Sequence, residues 1–304
     1  MDLYPLPDGV ETEAAEGFAA ELGGSAGNIA VAIAQQEQPA ALLGALSDDA
    51  VGRFVRTHLN RYAVDTSRCL AVPGTYRTSL ALCETRPEDS ETVFYRNGAA
   101  DLQLRADAFD ASFLGSASFL VVTGTALAAE PSRSATLEAL RLARAEQTFS
   151  ILDIDYRAVS WSSRDETTRV LAQAARLCDS VVGNDEEFTL LAGDQDGALS
   201  AASAFVAEGG YFAVLKRGNA GSITFTATAS FETEIFAVEA KKPFGAGDAF
   251  LGTLVVGLRR GLSLQQGVRR AAAAAAYVVA RRGCAYAMPT PTQLDAFIQG
   301  YAAA

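Results

Sequence analysis

The stretch Lys241-Lys242-Pro243-Phe244-Gly245-Ala246-Gly247-Asp248-Ala249-Phe250-Leu251 decides how the chain is read. Glycines flank an alanine, a carboxylate follows, and an apolar run begins. Gly245 and Gly247 permit a tight turn and a close backbone approach by a ligand. Phe250, Leu251, Leu254, Val255 and Leu258 then recur at helical spacing, which predicts a helix over 249–261 that the glycines open. Backbone N–H groups at such an opening form an anion site, reinforced by the helix dipole. A carboxylate beside that site repels the anion. Asp248 therefore makes chemical sense as a group that takes a proton from a hydroxyl while the N–H groups hold developing negative charge. An ordinary helix start, with Asp248 serving only the dipole, explains the same residues and stays open at this point.

Other glycine motifs fit less well. In a dinucleotide fingerprint the last glycine would fall on Phe250, and no Asp or Glu lies between Asp248 and Asp295 to bind a ribose about 20 residues on. A Walker A loop is excluded, because no Gly-Lys pair occurs in the chain.

Gly245-Ala246-Gly247-Asp248 resembles the Gly-Ala-Gly-Asp signature of the ribokinase-like sugar kinases, and further matches run from residue 2 to about 290. The resemblance implies an α/β fold: a doubly wound, mostly parallel sheet with a small β-sheet lid. It also implies phosphorylation of a sugar hydroxyl by ATP with Mg²⁺, Asp248 as the catalytic base, and residues Gly245, Ala246 and Gly247 as the anion hole for the transferred phosphoryl group.

Composition sets the outer bounds. With 304 residues and 49% hydrophobic content a sizeable core is available, for one large α/β domain with an appendage or for two domains. We expect a single kinase domain over 1–304. No apolar run reaches about 18 residues, so no membrane span is expected, and the N-terminus lacks a basic-then-apolar signal pattern. Cys69, Cys83, Cys178 and Cys284 form no CxxC pair, which fits reduced thiols in the cytoplasm. A net charge of −11 argues against a nucleic-acid partner. The single histidine, His58, falls in a helix predicted over 49–61 and reads as a surface residue, so Ser-His-Asp or Cys-His catalysis is not expected.

Taken in order, the chain starts with a polar, acidic segment to Leu22 and then runs through Gly23-Gly24-Ser25-Ala26-Gly27-Asn28 into an apolar helix. In the family a paired-glycine motif here lets the lid hinge, and an Asn one turn on binds sugar hydroxyls; Gly23, Gly24 and Asn28 match. A substrate-binding Asp follows the family's first core strand. Asp2 is the matching residue, with only Met1 before it where a strand of about five residues is expected. A strand is predicted over 40–46. Short strands over 69–72, 78–84 and 92–95, split by Pro73-Gly74 and Arg86-Pro87-Glu88-Asp89, predict a small separate sheet. This matches the family's lid, formed mainly by about 69–98 and part of 3–22, through which the resemblance implies a homodimer. Arg96 closes that segment and is a candidate for the substrate.

From Phe119 strands and helices alternate: strands over 119–122, 149–154, 180–182, 212–215 and 222–225, helices over 132–146, 165–177, 186–191 and 197–208. Alternation of this kind implies a parallel sheet covered on both faces, with ligands beyond the carboxyl ends of the strands. Asn184-x-x-Glu187 matches the family motif that positions Mg²⁺ through water, while the same residues read locally as a helix cap. Lys216-Arg217-Gly218-Asn219-Ala220-Gly221 matches the hairpin beside the nucleotide phosphates, which puts Lys216, Gly218 and Gly221 among the nucleotide-binding candidates. An alanine-rich helix over 264–282 reads as close helix–sheet packing, and the loop over 281–289 as a border of the nucleotide base.

Further details bear on substrate and ions. Asp153-x-Asp155-x-Arg157, with Trp161 four positions on, resembles a family segment in which an Arg receives a substrate carboxylate. Arg157 therefore favours a sugar acid over a neutral hexose, with an Arg157 paired to Asp153 or Asp155 as the alternative. Relatives carry Asp-Thr before the anion hole, where it helps bind a monovalent cation; here Lys242 and Pro243 stand instead. Lys242 would supply the positive charge itself, so activity is expected without K⁺. Fructokinases, 2-keto-3-deoxygluconate kinases and nucleoside kinases are the rival activities. A sugar-binding regulator without catalysis is the rival of another class.

Overall fold

The computed structural model describes residues 1–86, 89–193, 197–241 and 244–303. The chain divides into two compact units, one of residues 1–101 with 236–304 and one of residues 102–235.

The first unit begins with β1 (Asp2–Leu6) and β2 (Gly17–Glu21), paired antiparallel from Asp2↔Glu21 to Leu6↔Gly17. Of the acidic residues in this segment only Asp2 and Glu21 lie on these strands, Asp2 buried and Glu21 half-buried, while Asp8, Glu11, Glu13 and Glu16 are exposed on the connection between them. After α1 (Ser25–Gln35), the segment predicted as one strand over 40–46 forms two, β3 (Ala40–Ala41) and β4 (Gly44–Ser47). The break is a change of partner. β3 pairs with β5 (Val64–Asp65), whereas β4 pairs with β6 (Cys69–Val72), both parallel. Between β4 and β5 lies α2 (Ala50–Arg61), capped by Asp49, whose carboxylate accepts from Val51 and Gly52 N–H at 2.9 and 3.0 Å.

β7 (Leu80–Cys83) and β8 (Thr92–Tyr95) complete a four-stranded sheet in the order β2-β1-β7-β8. Residues 69–72, expected beside them, lie instead in β6 against β4. The pairing of β1 with β7 is parallel, Asp2 opposite Ala81 and Leu3 opposite Leu82.

The second unit contains α3 (Ala111–Gly115), β9 (Phe119–Thr123), α4 (Ser132–Ala145), β10 (Phe149–Asp153), α5 (Arg164–Ala175) and β11 (Ser180–Asn184). It continues through α6 (Asp185–Ala192), α7 (Gly197–Ala207), β12 (Phe212–Lys216), β13 (Ser222–Thr226) and β14 (Ser230–Thr233). Its six-stranded sheet runs β9-β10-β11-β12-β13-β14, with the first four strands parallel and the last two antiparallel. Ile151, Leu152, Val181, Val182 and Phe212 to Leu215 are wholly buried. That is why these strands read as continuous apolar runs: a sheet covered by helices has no wet face to alternate toward.

The chain then returns to the first unit as α8 (Ala246–Arg259), α9 (Leu264–Val279) and α10 (Pro291–Ala303). Every residue from Ala249 to Gly257 is buried, the signature of an interior helix. The small residues of α9 serve a helix rather than a sheet. A Cβ on Gly257 would stand 3.3 Å from the Gly267 α-carbon, so α8 and α9 meet backbone to backbone.

Candidate active site

In the first unit, Gly245 is the N-cap of α8, with φ of 80° and ψ of −6°. This left-handed conformation favours glycine. Ala249 N–H makes a helical bond to Gly245 O at 2.9 Å. The N–H groups of Ala246, Gly247 and Asp248 thus belong to the helix's first turn, where an anion is stabilised. Asp248 lies in that turn, partly exposed. Its Oδ1 accepts a hydrogen bond from Ser25 Oγ at 2.7 Å and its Oδ2 one from Asn28 Nδ2 at 2.8 Å. Asn28 is buried, and its Oδ1 has no hydrogen-bond partner.

Asp2 and the paired glycines come together in the same unit. A Cβ on Gly23 would fall 2.0 Å from the Asp2 carboxyl carbon, and Gly24 has φ of 93°. Both positions therefore require glycine, one for room and one for backbone conformation. Asp2 is itself buried, and Tyr4 Oη donates to its Oδ2 at 3.4 Å. Tyr4 Oη also lies 3.4 Å from Cys284 Sγ, and that thiol packs where a Gly245 side chain would begin, 3.3 Å away. Burial pushes the Tyr4 phenol far up, so it stays protonated and keeps its donor. A chain of contacts thus links Asp2 through Tyr4 and Cys284 to the opening of α8.

Arg96 is engaged within the unit. Its Nε and terminal nitrogen donate to Asp101 Oδ2 at 3.1 and 2.6 Å, and Ser79 Oγ donates to Asp101 Oδ1. Lys242, with Pro243, lies outside the described residues.

The second unit carries the remaining candidates. Asn184 and Glu187 form a reciprocal capping box: Asn184 Oδ1 accepts from Glu187 N–H at 2.9 Å, and Glu187 Oε2 accepts from Asn184 N–H at 2.7 Å. Glu187 Oε1 also accepts from Tyr156 N–H at 3.1 Å, tying the end of β10 to the start of α6. Glu187 is 5% exposed. Both oxygens are thus held by backbone donors, which leaves lone pairs for water rather than room for direct coordination of a metal. The pair fits an outer-sphere Mg²⁺ role only. Among the described residues no cluster of three or more His, Cys, Asp or Glu could hold a metal ion.

Arg157 donates to Asp155 Oδ1 at 2.9 Å and to Tyr156 O at 3.1 Å, while Thr125 Oγ1 donates to Asp155 Oδ2 at 3.2 Å. Asp155 is buried with φ of 36°, an uncommon conformation for a residue with a side chain. Lys216 pairs with buried Asp153 at 3.6 Å. In the hairpin that follows, Gly218 and Gly221 have φ of 53° and 76°, and a Cβ on Gly221 would fall 2.1 Å from Thr233 O. Arg217 closes this turn through its N–H to Gly221 O at 2.8 Å and pairs with Glu232 at 3.3 Å.

Ser25, Tyr4 and Cys284 were missed in the sequence. Ser25 carried one signal, its place directly after Gly23-Gly24 at a helix start. The four cysteines are buried and form no disulfide among the described residues. Burial pushes the Cys69 thiol up to about 11 and Cys178 up as well, so both stay protonated near neutral pH.

Comparison with known proteins converges with this geometry. The pfkB family carbohydrate kinase pattern matches residues 1–291. The chain is 38% identical to a 5-dehydro-2-deoxygluconokinase of Photobacterium profundum, over 98% of this chain and 92% of the relative. It is 34% identical to a protein of that name from Geobacillus kaustophilus, over 93% and 86%. The fold superposes on a fructokinase with bound ATP from Xylella fastidiosa with a TM-score of 0.88, covering 99% of this chain and 96% of that one at 24% identity. The chain belongs to the pfkB family of carbohydrate kinases.

Proposed function

We propose that this kinase transfers the γ-phosphoryl group of ATP to a primary hydroxyl of 5-dehydro-2-deoxygluconate, a step of inositol breakdown. The observation that carries the reading is Asp248, a carboxylate held by two side-chain donors in the first turn of a helix that opens on a left-handed glycine. Asp248 takes the hydroxyl proton, the freed oxygen attacks the γ-phosphorus, and the bond to the β-phosphate oxygen breaks to leave ADP. The N–H groups of residues 245–247 stabilise charge on the transferred group. Asp2, the loop at Gly23 and Gly24, and Asn28, whose Oδ1 has no hydrogen-bond partner, bind the sugar hydroxyls. Lys216, Gly218, Gly221 and Asn184 serve the nucleotide.

Mg²⁺ bound with the nucleotide would neutralise phosphate charge, and Asn184 and Glu187 would hold its water shell. The names of the relatives support a sugar acid; Arg157 is paired to Asp155, the alternative weighed for it, so only its remaining donors could meet a substrate carboxylate. With Lys242 beside the anion hole in sequence, we expect turnover without K⁺.

The same proposal covers setting and assembly. Four cysteines outside any disulfide fit the cytoplasm, and no helix among the described residues is long and apolar enough to cross a membrane. Phe18 on β2 and Val93, Phe94 and Tyr95 on β8 are exposed, which supports a homodimer through this sheet.

The test is ADP release with ATP, Mg²⁺ and a panel of sugars, sugar acids and nucleosides. 5-Dehydro-2-deoxygluconate should give the highest kcat/KM. Preference for fructose or a nucleoside would overturn the acid reading, and absence of any sugar-dependent ADP release would leave a binding protein instead.

A further inference from the structure

The carboxylate assigned as base is gripped from a second helix. Ser25 is the first residue of α1 and Asn28 lies one turn on, with its N–H bonded to Gly24 O at 2.9 Å. Each donates to a different oxygen of Asp248, at 2.7 and 2.8 Å. The helices that carry them are locked along their length. A Cβ on Gly252 of α8 would come 2.6 Å from Ala32 Cβ of α1, so the backbones are in near contact. Further along, buried Gln36 donates from Nε2 to Thr253 Oγ1 at 2.6 Å, and Arg260 donates to Gln36 O at 2.7 Å. The spacing of Ser25 from Asp248 is therefore set by a whole helix pair rather than by the mobility of two side chains.

A carboxylate that must collect a proton from one particular hydroxyl needs a fixed orientation. Its two oxygens offer about four lone-pair sites, and Ser25 and Asn28 each take one. Turning the carboxylate about its own axis breaks both bonds at once, so the two donors together fix its plane. Asn28 on its own fixes only one oxygen. We propose that Ser25 is a positioning residue of the reaction: its hydroxyl donates to Asp248 Oδ1 and so holds the base in the orientation in which it receives the substrate proton. The inference rests on the reading of Asp248 as the base.

The test compares Ser25→Thr with Ser25→Val, two side chains of similar shape that differ in the hydroxyl. Turnover is measured with ATP and 5-dehydro-2-deoxygluconate, and folding by thermal melting. Ser25→Thr should keep kcat, whereas Ser25→Val should lower it ~10- to 100-fold, the scale of a misplaced catalytic group. The KM for ATP and the melting temperature should match in the two variants. Equal kcat in both overturns the role of Ser25. So does a loss in Ser25→Val that appears as a lower melting temperature or a higher KM with kcat intact. Ser25→Ala is the second hydroxyl-free variant if Val disturbs the helix start. Asp248→Asn, assayed in parallel, separates the two readings. Full activity there removes the base, while an inactive Asp248→Asn beside an active Ser25→Val removes Ser25 alone.

Discussion

The carboxylate of Asp2 rests on the bare α-carbon of Gly23, so close that a methyl group on Gly23 would fall 2.0 Å from its carboxyl carbon. Gly23→Ala must therefore push Asp2 out of place. Overpacking of this kind costs about 1–3 kcal/mol of stability. The sugar KM should rise while the KM for ATP stays constant. Adding Asp2→Gly should restore the melting temperature without restoring sugar affinity, because the room returns and the carboxylate does not. A Gly23→Ala enzyme with wild-type melting temperature and sugar KM would show that Asp2 has somewhere else to go.

Asp248→Asn keeps the shape of the side chain and its place beside Ser25 and Asn28 but cannot take up the proton. Loss of a general base lowers the rate ~10²- to 10⁴-fold. Nucleotide affinity, followed by titration with ATP, should change little. Near wild-type kcat would refute the base.

Gly252 is the contact point of α1 and α8, and Gly252→Ala would place a methyl 2.6 Å from Ala32 Cβ and 3.1 Å from Ile29 O. The helices must separate. Melting should show a loss of about 1–3 kcal/mol, and kcat should fall because Ser25 and Asn28 draw away from Asp248. Ala32→Gly in the same chain should recover part of both. Unchanged kcat in a destabilised Gly252→Ala would mean that the grip on Asp248 does not depend on the helix spacing.

Glu84 governs an acid limb of stability. The backbone N–H of Thr12 foremost, then Arg86 and the N–H of Glu91, hold its carboxyl down to about 2, against burial, which works the other way. A carboxyl whose folded pKa is depressed stabilises the fold above its ordinary value of 4.5, and that contribution drains away as pH falls from there toward about 2. Glu84→Gln should lower the melting temperature at neutral pH and flatten its fall across that window. Parallel melting curves of wild type and mutant over the window would remove Glu84 from the account.

Arg157 is already turned by Asp155, which Thr125 holds in turn. A hydrogen-bonded charge pair is worth about 1.5–3 kcal/mol, so Arg157→Met should raise the KM for the sugar acid ~10- to 100-fold. The KM for fructose should not move. Equal effects on both substrates would make Arg157 a support of the loop alone.

Much of the fold was legible because it is written locally. Buried parallel strands such as Phe212–Lys216 show as apolar runs, and α8 shows as a glycine turn followed by helical spacing. The capping box of Asn184 and Glu187 spans a single turn, so neighbouring residues suffice to specify it. β1 and β2 were hidden, since their carboxylates lie on strands whose pairing partners had to be known first. The division of residues 40–47 into β3 and β4 likewise depends on which strand each half meets.

At the site, residue types and spacing singled out Asp248, and the family resemblance singled out Asn28, Asp2, Gly23 and Gly24. Their employment was a matter of tertiary structure. Arg96 finds Asp101, Arg157 finds Asp155, and Asn28 gives its amide to Asp248. Ser25 reaches Asp248 across 223 positions of sequence. Helical and strand periodicity express only the few residues on either side, whereas a hydrogen bond needs two atoms within about 3 Å. The sequence by itself determined which groups can accept a proton, turn the backbone or cap a helix. Only the packing of α1 against α8 decided which donor each oxygen of Asp248 would receive, because that packing sets the distance.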